Sequence, residues 1–156
     1  MAVVGKPRVF HKKFAFVIEI DGVASAAFTK CSALEAEIGK VEQREGGKLI
    51  PDKSPGLVNV SDVTLERGVA QGDSDLYNWW LDVVRMSAAG GTGLPTPGYK
   101  RQVDLLQLDR DGTVIKRWIL NGAWPTKITV GEWDNDAEEN VMESCVLTFD
   151  TFDLAK

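Results

Sequence analysis

The chain is poor in the side chains on which catalysis and metal binding most often depend. Its 156 residues include one histidine, His11, and two cysteines, Cys31 and Cys145. A single imidazole excludes any mechanism or metal site that needs two of them within one chain. The two cysteines are far apart and have small or apolar neighbours. We therefore interpret each as a small buried hydrophobe rather than a reactive thiol or half of a disulfide.

Long apolar runs and a strong net charge are missing as well. No uninterrupted apolar stretch approaches the roughly 20 residues that a membrane-spanning helix needs, and no secretory leader pattern opens the sequence. We therefore expect cytoplasmic assembly without membrane insertion. Eighteen basic and 23 acidic residues give a net charge of −5. This acidic balance argues against a dedicated binder of nucleic acid or of anionic membranes.

The charges that are present are separated along the chain. Residues 1–18 contain four basic residues and no acidic one, whereas residues 128–155 contain eight acidic residues and no basic one. A subunit whose two ends carry opposite charges can associate head to tail with further copies, and that association is expected to weaken with salt.

Alternation of apolar and polar residues predicts several β-strands. Phe16, Ile18 and Ile20 alternate with other residues and lead into Asp21-Gly22, which predicts a hairpin over residues 14–28. A second hairpin is predicted over residues 101–120 around the turn at 109–112, with residues 121–125 ending its second strand. Further strands are predicted over residues 34–44, 57–66 (with a bulge near Ser61), 126–130 and 141–152.

One segment has helical spacing instead. Leu76, Trp79, Trp80 and Val83 fall on one face, and Asp73 or Ser74 can cap the start, so a helix is predicted over residues 73–89. A flexible connector over residues 90–99 follows it. The sequence thus predicts one mainly β domain over residues 1–156: a small antiparallel barrel or sandwich of about seven strands with one flanking helix.

The Gly and Pro content of residues 45–56 predicts a long loop, yet the apolar residues Leu49 and Ile50 lie at its middle. A loop of this length inside a compact domain is usually functional or disordered. The sequence by itself favours neither interpretation.

No motif for catalysis, metal binding or cofactor binding is convincing. Ser74 lies at the first turn of the predicted helix, where a cap explains it. The acidic spacings at 109–112 and 134–138 lack the Gly or the final carboxylate of a calcium loop. We therefore predict no catalytic residue, no metal, no cofactor and no enzymatic activity.

Several blocks of the sequence, in their order and spacing, resemble one family. The blocks are residues 14–23 (FAFVIEIDGV), 28–34 (FTKCSAL), 42–47 (EQREGG), 53–56 (KSPG), 63–68 (VTLERG), Trp118 and 121–125 (NGAWP). The chain is similar to the tail tube proteins of contractile phages, and most similar to the inner-tube subunits of phage-tail-like extracellular contractile injection systems. These are related to the type VI secretion tube protein.

The resemblance implies a structural subunit that forms hexameric rings stacked into a tube with a central channel for cargo. Its partners would be further copies of itself and the sheath, baseplate and tube-terminator proteins, in a particle that is later released. Two alternatives stay open: the tail tube of a contractile bacteriophage conducting DNA, and a monomeric β-barrel binding or adaptor module.

The resemblance also implies which residues meet neighbouring subunits. The expected interface residues, in an N-terminal arm (residues 1–13) and an assembly loop (residues 45–56), are Lys12, Lys13, Arg44, Glu45, Gly46, Gly47, Lys48, Leu49, Ile50 and Pro51. The expected residues facing the channel are Glu35, Glu37, Lys40, Glu42, Asp62 and Glu66. The channel assignment depends on strand register, because a slip of one residue inverts the faces.

Overall fold

Strands dominate the computed structural model, which describes residues 10, 13, 15–21, 28–69, 74–88 and 99–155. Parts of the expected N-terminal arm, with His11 and Lys12, and of the expected connector at 90–99 lie outside the described residues. The described elements are β1 (Phe16–Ile20), β2 (Phe28–Cys31), β3 (Ala36–Gln43), β4 (Asp52–Val60), β5 (Val63–Gly68), α1 (Asp75–Ala88), β6 (Arg101–Leu108), β7 (Val114–Val130), β8 (Met142–Thr148) and β9 (Thr151–Leu154).

Seven of these strands form one antiparallel sheet in the order β1-β6-β7-β8-β5-β2, with β9 also paired to β7. The first part of β7 pairs with β6 and β9, and its last part, from Trp124, pairs with β8. Apolar side chains from both halves of the sheet meet in one core, so the fold is sandwich-like. The predicted mainly β, antiparallel fold is confirmed, and within the described residues the strands do not close into a barrel.

One predicted strand end is wrong, as the long strand β7 shows. Residues 121–125 were expected to end a strand, but β7 continues through them to Val130. Gly122, with a φ of +65°, lies where β7 leaves one set of partners and joins the next. Because a partner strand is available on each side of the bend, the backbone groups stay paired and the strand does not end.

The core lies between the two halves of the sheet. Ile18, Val103 and Leu120 come from the β1-β6-β7 half, and Leu65 and Leu147 come from the β5-β8 half. All five are almost completely buried. Burial of each such side chain contributes about 1.5–3 kcal/mol before entropy is counted, so this layer of aliphatic residues holds the two halves together.

Helix α1 packs its apolar stripe onto this core, close to the prediction over residues 73–89. Leu76 and Trp79 are buried. The Trp79 indole donates a hydrogen bond from Nε1 to the carbonyl oxygen of Tyr99 at 2.7 Å, and the Arg101 guanidinium lies 5.3 Å from its ring centroid. The carbonyl oxygen of Ser74 accepts the N–H of Asn78 at 2.9 Å, so the helix begins at the position expected for its cap.

The first predicted hairpin is wrong, whereas the second is confirmed. β1 pairs with β6 and β2 pairs with β5. β1 and β2 therefore lie at opposite edges of the sheet and do not pair with each other. Residues 22–27, which connect them, lie outside the described residues. Pairing with β6 places Ile18 and Ile20 against the core, and this burial outweighs the local turn signal at Asp21. By contrast, β6 and β7 form the predicted hairpin around Gly112, whose φ is +86°.

One ion pair is buried within the second half of the sheet. Arg67 on β5 faces Glu143 on β8, and its Nε donates a hydrogen bond to Glu143 Oε1. The Phe28 ring lies 5.6 Å from the same guanidinium, and within the described residues Arg67 Nη2 has no hydrogen-bond partner. A charge buried this deeply depends on its counter-charge, which among the described residues is Glu143.

The bend in β7 gives a first prediction. An alanine Cβ at Gly122 would lie 2.2 Å from Asp150 Oδ2, whereas one at Gly112 would meet nothing within 4 Å. Both glycines have positive φ. We expect Gly112→Ala to cost about 1 kcal/mol in the free energy of unfolding and Gly122→Ala about 2 kcal/mol, because the Asp150 side chain must also rotate away; urea denaturation measures both. Equal losses of unfolding free energy in the two variants would contradict this account. So would a Gly122→Ala loss that is unchanged when Asp150→Ala is introduced as well.

The buried pair gives a second prediction. Glu143→Leu leaves the Arg67 guanidinium without its counter-charge and should cost about 3–5 kcal/mol of unfolding free energy, while the double variant Arg67→Met/Glu143→Leu should recover much of the loss. The control is Asp52→Ala, which removes an exposed partner of Lys48 and should cost less than about 1 kcal/mol. A Glu143→Leu loss no larger than the control's would refute the assignment.

Candidate assembly surface

Strands β3 and β4 form a separate two-stranded sheet, the β3–β4 hairpin, outside the main sheet. Every residue of β3 is exposed, and so is most of β4. The expected loop over residues 45–56 is shorter than predicted, because residues 52–56 belong to β4 and residues 52–55 pair with β3. Likewise the strand predicted over residues 57–66 is divided between β4 and β5, which lie in different sheets.

The hairpin exposes apolar side chains that a monomer would normally bury. Leu49 is 94% exposed, Leu57 84% and Ile50 78%, and three further residues of the hairpin are more than half exposed: Ile38, Val41 and Val58. Scattered apolar residues on a surface are ordinary, but a concentration on one projecting element indicates a contact with another molecule. The apolar residues at 49 and 50 are therefore candidates for a contact with another molecule.

The tip of the hairpin is shaped by a local charge network. Lys48 Nζ lies 2.8 Å from Asp52 Oδ2 and 3.5 Å from Glu45 Oε2, and the Lys48 N–H donates to the Glu45 carbonyl oxygen at 3.2 Å. Gly47 makes the turn with a φ of +89°. These exposed ion pairs add little stability, and Leu49 and Ile50 follow Lys48 in exposed positions.

Most of the interface residues expected from the sequence come together at this tip. The segment from the end of β3 to the start of β4 contains Arg44, Glu45, Gly46, Gly47, Lys48, Leu49, Ile50 and Pro51. Lys13 lies elsewhere, beside Phe16 and Trp118, and Lys12 is outside the described residues. Their part in subunit contacts remains a prediction.

The residues expected to face a channel do not form one row. Lys40 and Glu42 lie on the same face of β3, with Nζ and Oε1 3.9 Å apart, whereas Glu37 falls on the opposite face by strict alternation. Glu35 and Asp62 flank the strands in exposed positions, and Glu66 lies on the β5 face away from the buried residues. Which of these residues line a channel remains a prediction.

A second exposed element is the acidic stretch already noted in the sequence, although its tryptophan was not singled out there. Residues 131–141, the acidic loop, connect β7 to β8 and carry Trp133, whose side chain is 74% exposed. The Trp133 ring lies over Gly131, where an added Cβ would come within 2.5 Å of it. Asp134 closes a turn by accepting the N–H of Asp136 on Oδ1 at 3.0 Å. The five carboxylates of residues 132–139 could have drawn attention to this tryptophan.

A groove of about 480 Å³ opens at the other end of β7. Its walls include Phe16, Leu34, Leu105, Trp118 and Phe152, and we call it the aromatic groove. The Trp118 and Phe152 rings meet edge to face with centroids 5.8 Å apart. Lys13 lines the groove, and Lys116 Nζ lies 5.7 Å from the Trp118 ring centroid. The sequence alone did not bring these residues together, because they belong to β1, β6, β7, β9 and the segment after β2.

Neither cysteine has the surroundings of a reactive thiol. Cys145 is buried in the core and Cys31 is partly buried beside it. Burial raises the pKa of Cys31 to about 11 and that of Cys145 to about 12. In the described part of the chain, no group of three or more His, Cys, Asp or Glu side chains is placed to hold a metal ion. The same part contains no helix whose length and hydropathy would let it span a membrane.

Together, the sandwich and its projecting, partly apolar hairpin define a β-rich structural protein. A family model for the T4-like virus tail tube protein gp19 matches residues 12–153. The chain belongs to this tail tube family, as its sequence blocks indicated. No curated protein matches the chain.

Solved structures share the fold at low sequence identity. A chain of the anti-feeding prophage cap (AFP tube terminating cap) is 22% identical with a TM-score of 0.79, over 99% of both chains. A chain of the PVC sheath-tube complex, an extracellular contractile injection system in its extended state, is 20% identical with a TM-score of 0.77, over 97% of this chain and 93% of that one. Hcp1 from Flavobacterium johnsoniae is 13% identical with a TM-score of 0.54, over 90% and 94%.

The thiol surroundings give a third prediction. At pH 8, alkylation of Cys31 in the folded protein should be more than about a hundredfold slower than in denaturant, because only the thiolate reacts and an unfolded thiol has a pKa near 8.5. The stability that this thiol contributes is complete below pH ~8.5 and is lost as the pH rises towards 11, since the unfolded chain loses its proton first. Fast labelling of the native protein, followed by mass spectrometry, would contradict the assignment.

Proposed function

We propose that this protein is the inner-tube subunit of a contractile injection machine and forms hexameric rings that stack around a central channel for cargo. The observation that carries the proposal is the β3–β4 hairpin, which projects from the sandwich and exposes Leu49, Ile50 and Leu57. In a member of the tail tube family, such an element has a natural partner in the neighbouring subunit or ring. Burial of these side chains on assembly supplies a hydrophobic driving force.

The edges of the main sheet support the same proposal. β1 and β2 end the path of paired strands, and each has one partner strand within the described residues. Edge strands offer unpaired backbone N–H and C=O groups to another chain. Neighbouring subunits that add strands at these edges would extend the sheets around a ring. The two edges differ in sequence, so the contact is heterologous and can close into a ring.

The proposed partners follow from the family and from the complexes that share the fold. The similar chains belong to assemblies described as a tube terminating cap, a sheath-tube complex, a baseplate and a sheath/tube terminator. We infer that this chain contacts sheath, baseplate and terminator proteins, passes cargo through its channel and performs no catalysis. It would assemble in the cytoplasm and leave as part of a released particle.

The matched family favours a second candidate of the same class. Its model describes a tail tube of T4-like viruses, so this chain is alternatively the tube of a contractile phage that conducts DNA. The neighbouring genes decide between them: capsid and terminase genes indicate a phage, and a large AAA+ ATPase gene without capsid genes indicates an injection system.

Electron microscopy of the purified protein tests the proposal directly. Wild-type protein should show rings or tubes by negative stain and elute well above 17 kDa in size-exclusion chromatography. Leu49→Ser/Ile50→Ser should keep the wild-type melting temperature, because both side chains are exposed, but should lose stacked tubes. The matched control is Val114→Ser/Ile115→Ser, which alters two exposed apolar residues outside the hairpin.

Two results would count against this assignment. A wild-type protein that stays a compact monomer at every concentration and salt tested would indicate a binding or adaptor module instead. Normal tubes from Leu49→Ser/Ile50→Ser would show that the tip of the hairpin does not carry the contact.

A further inference from the structure

The acidic loop and the aromatic groove have complementary chemistry. The acidic loop contains Glu132, Asp134, Asp136, Glu138 and Glu139 and no basic residue. None of these carboxylates forms an ion pair with another described residue. At its centre the exposed Trp133 is held against Gly131. Tryptophan in such a position is the residue type most often found at the energetic centre of an interface.

The aromatic groove has the basic side chains that the acidic loop lacks. Trp118 and Phe152 form an aromatic wall, and the groove is roomy enough, at about 480 Å³, to accept a large side chain. Lys13 lines it and Lys116 lies over Trp118, so its charge is positive. An aromatic side chain surrounded by carboxylates therefore matches both the apolar walls and the two lysines.

The two surfaces lie towards opposite ends of β7. Trp118 is near the start of the strand, and the acidic loop follows Val130 at its end, so roughly 40 Å of strand separates them along the chain. Strand pairing holds both stretches in place, with β6 and β9 on the first part of β7 and β8 on its last part, and none of the described residues that line the groove belongs to the acidic loop. An acidic loop that enters the groove therefore belongs to another copy of the chain.

We propose that Trp133 of one subunit docks in the aromatic groove of the next copy, with carboxylates of the acidic loop facing Lys13 and Lys116. This inference rests on the proposed tube function and names one of its contacts between subunits. Two different surfaces meet in the contact, so each copy can bind one copy on each side. Such a heterologous contact closes into a ring or continues as a filament.

The tip of the β3–β4 hairpin is a less suitable occupant of the groove. Lys48 already pairs with both Glu45 and Asp52, so the tip has no excess negative charge to offer the two lysines. The acidic loop has five carboxylates without basic neighbours. Charge therefore selects the acidic loop for this groove and leaves the hairpin for another contact.

Alanine substitution tests the aromatic part of the contact. Trp133→Ala should raise the protein concentration needed for ring or tube formation by about tenfold or more, because loss of an interface tryptophan typically costs more than 1.4 kcal/mol, the equivalent of one factor of ten. Its melting temperature as a monomer should stay unchanged, since the side chain is 74% exposed. The matched control is Tyr77→Ala, an aromatic residue that is 52% exposed on helix α1.

Charge reversal tests the electrostatic part. Two double variants should each weaken assembly: Lys13→Glu/Lys116→Glu at the groove and Glu132→Lys/Glu138→Lys in the acidic loop. The protein that carries all four substitutions should regain assembly. In the wild type, assembly should weaken between about 50 and 500 mM salt, because exposed charges are screened. Failure of the fourfold variant to regain assembly, with each pair alone impaired, would overturn the pairing of these two surfaces.

Cross-linking locates the contact. Glu132→Cys/Ala33→Cys places a thiol beside Trp133 and another on the exposed rim of the aromatic groove. Oxidation at pH 8 should give a ladder of disulfide-linked multimers, whereas Glu132→Cys/Lys127→Cys, with its second thiol on an exposed residue of β7, should not. A ladder from the control pair alone would overturn the proposal.

The outcomes separate the two proposals. Wild-type protein without rings or tubes would overturn the proposed function itself. Wild-type tubes together with normal tubes from Trp133→Ala would overturn only this contact. Normal tubes from Trp133→Ala with loss of binding to a basic partner such as a sheath protein would assign the acidic loop to that partner and would also overturn the contact.

Discussion

Strand β7 is the constraint on which the rest of the structure depends. Its first part pairs with β6 and β9 and its last part with β8, so both halves of the sheet are built on one continuous backbone. The bend at Gly122 folds those halves towards each other, which brings Leu120 and Leu147 into one core. Without this bend the two apolar faces would remain apart, and neither helix α1 nor the buried pair of Arg67 and Glu143 would have its present surroundings.

The features proposed for assembly are those that the core does not need. The β3–β4 hairpin lies outside the main sheet and keeps its apolar side chains exposed, while the acidic loop places Trp133 in solvent. Both elements can therefore be altered with little effect on folding. A rigid sandwich that positions several exposed surfaces suits the proposed role of a subunit with neighbours in more than one direction.

Much of the fold could be predicted where the relevant interactions are local. The stripe of Leu76 and Trp79 predicted helix α1, and the turn at Gly112 predicted the β6–β7 hairpin. The apolar residues Leu49 and Ile50 were expected in a loop, and the structure leaves both exposed at the tip of the β3–β4 hairpin; their part in assembly stays a prediction. The Asp21-Gly22 turn signal was misleading because β1 and β2 are paired with distant strands, whose choice depends on burial across the whole sandwich.

By itself, the sequence determined the class of fold, the absence of a second imidazole, the separation of charges along the chain and the family. These are properties of composition, periodicity and order, which exist before the chain folds. Only the tertiary structure decided that residues 121–125 bend a strand instead of ending it, that Lys13 and Trp118 line one groove, and that Lys116 lies beside Trp118. Such groupings join residues far apart in the chain, and they form only when non-local strand pairing and burial of the core select one register.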